Sequence, residues 1–116
     1  MINYANQTIM LFPANKKSKK SPDYRGSIND ANREKIVDLI YYVRKPKTGG
    51  YYFSGYLFVP DNTVKSTITV EAENPEENRL PTIIGNMQIG EYTYKIALWK
   101  KLDKNGQHYY SGKISL

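Results

Sequence analysis

The sequence predicts a small all-β protein, a barrel built from antiparallel hairpins with little or no helix. Runs of β-branched and aromatic residues alternate with polar residues at a period of two, which is typical of strands. Glycine-containing turns separate these runs, as in KTGG at 47–50 and KNGQ at 104–107. A strand–turn–strand pattern also recurs along the chain. Since 116 residues are enough for one domain, we expect a single domain over 1–116.

The first hairpin is predicted over residues 9–28. Its strands are IMLF at 9–12 and DYRGSI at 23–28, and its turn is the basic segment PANKKSKKSP at 13–22. The next residues, 32–39, are compatible with a short helix. Their apolar side chains Ile36 and Val37 fit equally well with a strand that continues through Ile40.

The second and last hairpins are predicted at residues 39–58 and 96–115, which align without a gap and are identical at five of 20 positions. The identical pairs are Lys47/Lys104, Gly49/Gly106, Tyr52/Tyr109, Ser54/Ser111 and Gly55/Gly112. The first hairpin is a weaker third copy, because IMLF resembles IALW at 96–99 and DYRGSI resembles HYYSGKI at 108–114.

The middle of the chain predicts further strands without this pattern. TITV at 67–70 alternates as a strand does, and PTIIGNMQIG at 81–90 predicts a strand with a glycine bend. Between them, ENPEENRLP at 73–81 predicts an acidic loop bounded by prolines, or at most a short helical turn. Gly90 and Glu91 then turn the chain into the last hairpin.

Alternation assigns each strand residue to the core or to the outside of the sheet. The predicted inward residues are Leu11, Tyr24, Ile28, Tyr41, Val43, Phe53, Leu57, Tyr94, Ile96, Leu98, Tyr110, Gly112, Ile114 and Leu116. The outward set combines aromatic rings with cations. It comprises Phe12, Arg25, Tyr42, Arg44, Tyr52, Tyr56, Lys95, Trp99, Lys101, Tyr109 and Lys113. A one-residue register error in 51–56 would exchange the two faces there.

The charge distribution favours a polyanionic partner. The formal net charge is +6, and basic residues recur in the three repeated turns. Rings that stack with bases, next to cations that neutralise phosphates, are what single-stranded nucleic acid requires. The turns therefore add Lys16, Lys17, Lys19, Lys20, Lys47 and Lys104 to the outward set as candidate nucleic-acid-binding residues. The alternatives are a second core under a loop or a dimer interface for the rings, and solvated hairpin tips for the lysines.

Signals of catalysis are weak, so we expect neither an enzyme nor a cofactor or metal. The chain contains no cysteine, and His108 is its single histidine. The acidic cluster of Glu71, Glu73, Glu76 and Glu77 falls mostly in the predicted loop, where paired carboxylates would not be held rigidly. No apolar run is long enough to span a membrane, and the N-terminal residues do not resemble a signal peptide, so we expect a cytoplasmic location.

Two groups of motifs carry a resemblance to a known family. They are SPDYRG at 21–26 and, near the end, ALWKK at 97–101, KNG at 104–106 and YYSG at 109–112. Together they resemble small single-stranded DNA-binding proteins of phages, of the type found in phages of lactic acid bacteria. The resemblance implies an OB-like barrel, self-association into dimers or higher forms, and a role in phage DNA replication or recombination. It also implies a recombinase or another replication protein as partner, in the host cytoplasm.

The sequence thus predicts sequence-tolerant binding of single-stranded DNA. Two alternatives stay open. The aromatic face could serve a protein-interaction module, such as a phage inhibitor of a host factor, or it could bind RNA.

Overall fold

A computed structural model describes residues 3–74 and 79–116 as a closed antiparallel barrel. Each strand pairs with its sequence neighbours, and pairing of the first strand with the last closes the barrel. The predicted all-β barrel of antiparallel hairpins is confirmed. Its order is up-and-down throughout, whereas the OB barrel in the strict sense has five strands in Greek-key order. The described residues form eight strands and no helix: β1 (Thr8–Pro13), β2 (Tyr24–Asn29), β3 (Lys35–Arg44), β4 (Tyr52–Val59), β5 (Asn62–Glu73), β6 (Ile83–Ile89), β7 (Tyr92–Leu102) and β8 (His108–Ser115).

The strands group into hairpins A (β1–β2), B (β3–β4), C (β5–β6) and D (β7–β8). Because strand directions alternate, the connections within these hairpins all lie at one end of the barrel, here called the hairpin end. The connections between hairpins lie at the opposite end. Pairing of β8 with β1 and of β2 with β3 places hairpins D, A and B side by side around the barrel.

A glycine occupies the same inward position on the second strand of every hairpin. A Cβ atom built on it would lie only 1.7–2.0 Å from a backbone oxygen of the first strand, so no other residue fits. Such close approach lets the paired strands bend around a narrow barrel. The glycines and their partners are Gly26 with Leu11, Gly55 with Tyr41, Gly85 with Val70, and Gly112 with Leu98. Hairpin C is therefore a fourth version of the repeated hairpin, in addition to the three that the sequence predicted.

The core fills the inside of the barrel with aliphatic and aromatic side chains, as expected for a barrel of this size. The predicted inward residues other than Leu116 are buried or packed against this core. The fully buried Tyr41 shares a hydrogen bond of 2.7 Å with the hydroxyl of Ser66, which satisfies both groups. The prediction for Leu116 is wrong. Leu116 is 80% exposed, because the strand pairing ends at Ser115 and no neighbouring strand covers Leu116.

Several local predictions have clear outcomes. The segment 32–39 forms a turn and the start of β3, not a helix. Phe53, Gly55 and Leu57 point inward, which confirms the expected register of β4. Glu73, which was predicted to begin the acidic loop, instead ends β5, the strand that also contains Glu71. Glu76 and Glu77 lie outside the described residues.

Candidate nucleic-acid interface

The predicted aromatic residues lie on the outside of the barrel. Phe12, Tyr52 and Tyr56 are 39%, 36% and 38% exposed. Trp99 and Tyr109 are half-buried, as is Tyr42, and each of these rings except Tyr109 is next to a buried residue on its strand. The rings are therefore available to a ligand on the outer surface of hairpins D, A and B.

A stacked ring pair forms where hairpin D meets hairpin A. The ring centroids of Phe12 and Tyr109 are 5.0 Å apart, and the planes are inclined by only 17°. Pairing of β1 with β8 brings these two rings together. Arg25 is the cross-strand partner of Phe12, and Lys101 is the partner of Tyr109. The pair thus has a cation on the neighbouring strand at each side, which suits a nucleotide that stacks its base and needs a phosphate neutralised.

A basic groove lies between the β1–β2 loop and hairpin B. The Tyr42 hydroxyl donates a hydrogen bond of 3.0 Å to the backbone oxygen of Lys20, which ties the loop to β3. The guanidinium carbon of Arg44 lies 5.0 Å from the centroid of the Tyr42 ring, a cation–π contact. Side chains from both elements line the groove: Lys19, Lys20, Tyr42, Arg44, Ser54 and Tyr56.

Asp23 fixes the base of this loop. Its carboxylate accepts hydrogen bonds from the backbone N–H of Val43 at 2.8 Å and from Nζ of Lys16 at 3.0 Å. Burial alone would raise the pKa of this carboxyl, but these two hydrogen bonds and the charges of Lys16 and Arg44 outweigh burial and lower the pKa. The loop is therefore attached to β3 at Lys20 and Asp23, and the ion pair with Lys16 ties the start of the loop to Asp23. A second hollow, on the other side of the loop, is lined by Phe12, Lys17 and Arg25.

Trp99 is anchored by its indole nitrogen, which donates a hydrogen bond of 3.1 Å to the backbone oxygen of Arg79. Trp99 lies opposite Ser111 of β8 and two residues before Lys101, which pairs with Tyr109. This bond ties the indole to the connection that precedes β6, at the hairpin end.

Other predicted residues lie apart from these clusters. Lys95 pairs with Asn86 on β6, and Lys113 lies between β7 and β1, nearer the opposite end of the barrel. Lys47 and Lys104 lie in the turns of hairpins B and D at the hairpin end.

The prediction missed a cation at the edge of hairpin B. Lys65 on β5 is the cross-strand partner of Tyr56, at the outer edge of hairpin B. Residues 62–65 do not match the repeated hairpin, so the repeat gave no reason to select it. Alternation along β5, which places Lys65 in line with the outward Thr67 and Thr69, is the signal that could have found it.

Hairpin C presents a different outer surface. Its outward residues are mainly Thr67, Thr69, Asn86 and Gln88, and Glu71 occupies a bulge where Asn86 donates a hydrogen bond to its carboxylate. Ile84 is the large apolar residue exposed there. Apart from Lys65 at the border with hairpin B, hairpin C presents the polar, uncharged and acidic side chains that are typical of a solvated sheet face. The rings and the other cations of the candidate interface lie on hairpins D, A and B.

Tyrosines surround the mouth of the barrel at the hairpin end. The Tyr51 hydroxyl donates a hydrogen bond of 2.7 Å to Oε1 of Glu73, and the rings of Tyr24 and Tyr110 are 5.9 Å apart. Burial raises the pKa of all three hydroxyls, and for Tyr51 the hydrogen bond and charge of Glu73 raise the pKa further. The three hydroxyls therefore stay protonated and neutral at physiological pH.

Comparison of the chain with protein-family models, with curated proteins and with solved structures finds no match. Residues 3–74 and 79–116 contain no helix of the length and apolarity needed to cross a membrane. In the same part of the chain, His, Asp and Glu side chains form no group of three or more that could hold a metal ion.

Proposed function

We propose that this protein is a binding protein, not an enzyme, and that it binds single-stranded DNA without sequence preference. Bases stack on the outward rings of hairpins D, A and B, and neighbouring Lys and Arg side chains neutralise phosphates. The observation that carries the proposal is the parallel ring pair of Phe12 and Tyr109 with Arg25 and Lys101 beside it. A stacked base is worth about 1–3 kcal/mol whatever its identity, so such a surface tolerates any sequence.

The position of the cations supports the proposal. Lysines are depleted at the core of protein–protein interfaces. Here Lys19 and Lys20 line the same groove as Tyr42 and Tyr56. Rings interleaved with cations in this way suit a polyanion better than a second copy of the chain.

The biological setting of the proposal comes from the sequence resemblance alone. Like the phage proteins that it resembles, the chain would act in phage DNA replication or recombination in the host cytoplasm. It would self-associate into dimers or higher forms, and a recombinase or other replication protein would be its partner.

The proposal is tested by fluorescence anisotropy with labelled oligo(dT) at two salt concentrations. We expect binding to weaken as the salt concentration rises. The logarithm of the binding constant should fall with the logarithm of the salt concentration, with a slope of about −0.7 for each phosphate neutralised. The double variant Phe12→Ala, Tyr109→Ala should bind at least tenfold more weakly, because it removes the ring pair. Tyr92→Ala is the matched control, since Tyr92 is 49% exposed but lies at the opposite end of the barrel.

Failure to bind oligo(dT), or an affinity that does not change with salt, would contradict the proposal. A parallel titration with oligo(U) separates the RNA alternative, which predicts tighter binding to the ribo-oligonucleotide. A fixed stoichiometry with a host protein and no oligonucleotide binding would instead favour the protein-interaction module.

A further inference from the structure

Resting on the proposed function, we infer that the DNA strand crosses the β-strands around the barrel through three equivalent subsites. Their order is hairpin D, hairpin A, hairpin B, and hairpin C ends the path. The inference concerns the number and order of the subsites, which the presence of rings and cations alone does not determine.

The glycine pairs define which positions correspond between hairpins. In each hairpin, one residue of the first strand pairs with the glycine. The next residue along that strand points outward. It is Phe12 in hairpin A, Tyr42 in hairpin B and Trp99 in hairpin D, whereas hairpin C has Glu71. The same structural position therefore carries a flat ring in three hairpins and a carboxylate in the fourth.

A second equivalence concerns the cations. Two residues beyond the ring, hairpin B places Arg44 opposite Tyr52, and hairpin D places Lys101 opposite Tyr109. In hairpin A the corresponding positions begin the basic loop, and Arg25 is instead the partner of Phe12. Each of these hairpins thus combines rings with at least one cation, which is the composition of a single nucleotide subsite.

Barrel closure makes the three subsites contiguous. The β8–β1 pairing stacks a ring of hairpin D on the ring of hairpin A, and the β2–β3 pairing joins hairpin A to hairpin B. A row of outward side chains consequently crosses the strands: Lys101, Tyr109, Phe12, Arg25, Ile40 and Tyr56. Trp99 flanks this row two residues before Lys101 on β7, and Tyr42 flanks it two residues after Ile40 on β3. A ligand that follows this row runs around the barrel and not along its strands.

The path has a defined length. Strands β7 to β4, in their order around the barrel, include five strand-to-strand steps of ~4.8 Å, or about 24 Å. That arc holds about seven nucleotides at ~3.4 Å each, and fewer when the strand is extended. Beyond it, the acidic bulge of Glu71 repels phosphates, so we expect affinity to stop rising at about four to seven nucleotides.

The experiment measures anisotropy with oligo(dT) of 3 to 12 nucleotides on the wild type and on Phe12→Leu, Tyr42→Leu and Trp99→Leu. Leucine keeps an apolar side chain and removes the flat ring. Each variant should bind long oligonucleotides about 5- to 150-fold more weakly. Ile84→Ala is the control in hairpin C, where an exposed apolar residue is removed and no change is expected. Urea unfolding shows that each variant remains folded.

Oligonucleotide length identifies the order of the subsites. Tyr42→Leu and Trp99→Leu remove terminal subsites, so the shortest oligonucleotides should keep almost full affinity and the plateau should move to shorter lengths. Phe12→Leu removes the central subsite, so all lengths should lose affinity. The same length profile for all three variants, or an effect of Ile84→Ala as large as theirs, would overturn the inference. Wild-type protein that binds no oligonucleotide would instead refute the proposed function itself.

Discussion

Asp23 shows how one side chain positions the basic loop of hairpin A. Its carboxylate joins Lys16 of the loop to the backbone of Val43 on β3. It belongs to the same SPDYRG segment that carries the family resemblance. The segment therefore has a structural role, because the carboxylate holds the start and the end of the lysine-rich loop against hairpin B.

This role predicts a pH-dependent stability. The carboxylate form is favoured in the folded protein, so the folded pKa lies below that of the unfolded chain. The stabilisation is fully present above about pH 3.9 and is lost as the pH falls through the folded pKa. Asp23→Asn should lower the free energy of unfolding by about 1 kcal/mol at pH 7, since the carboxylate is partly exposed. Urea unfolding should show this difference shrinking towards pH 3.

The control for this prediction is Asp38→Asn. Asp38 pairs with Lys35 at 3.2 Å, but both side chains are more than half exposed, so the pair contributes little. A difference between wild type and Asp23→Asn that stays constant from pH 7 to pH 3 would show that the ionised carboxylate is not what stabilises the loop.

At the scale of the element, the hairpin glycines explain why the repeat exists. At Gly55 an added Cβ would lie 1.9 Å from the backbone oxygen of Ile40, and a backbone atom in a paired strand cannot move away cheaply. Gly55→Ala should therefore destabilise the protein by more than about 3 kcal/mol. Gly106→Ala is the comparison, because an added Cβ at Gly106 would meet open space. The substitution should cost only about 1 kcal/mol, from placing alanine at a φ of +77°. Chemical unfolding of both variants ranks the two effects.

Equal destabilisation by Gly55→Ala and Gly106→Ala would mean that backbone conformation, and not the close approach of strands, is what requires glycine in the hairpins. The Gly55 variant could also fail to fold, which is the strong form of the expected result. Gly106→Ala keeps the comparison informative in that case, since it should remain folded.

The hairpins themselves were predictable from sequence, because strand alternation and turn glycines are local signals. Gly49 and Gly106 have positive φ values, the conformation for which hairpin turns select glycine. Hairpin C was not recognised as a copy, since the bulge at Glu71 shifts its register and only Gly85 retains the pattern. The outward direction of the rings also followed from alternation, a property of single strands.

The arrangement of the site was less predictable, because it depends on contacts between distant parts of the chain. Phe12 and Tyr109 are almost a chain length apart, and only the β1–β8 pairing stacks them. Nothing local in the sequence encodes that closure. The same holds for Lys65, which lies beside Tyr56 through the β4–β5 pairing.

At the scale of the whole molecule, the turns of hairpins A, B and D differ in charge from the connections at the opposite end of the barrel. The described turns of hairpins A, B and D contain seven lysines and two aspartates. At the opposite end, the turns 30–34, 60–61 and 90–91 contain four carboxylates and one arginine. A protein with this polarity would approach a polyanion with its hairpin end first, since the summed field steers association.

This polarity predicts that equal charge changes have unequal effects on DNA binding. Lys20→Gln removes a cation of the basic groove and should reduce the salt slope of oligo(dT) binding by about 0.7. Lys35→Gln removes the same charge beside the opposite end, where the lysine pairs with Asp38, and should leave the slope unchanged. Binding titrations at several salt concentrations give both slopes. If the two variants changed the slope equally, net charge alone would account for the affinity, and the position of the lysines at the hairpin end would have no part in it.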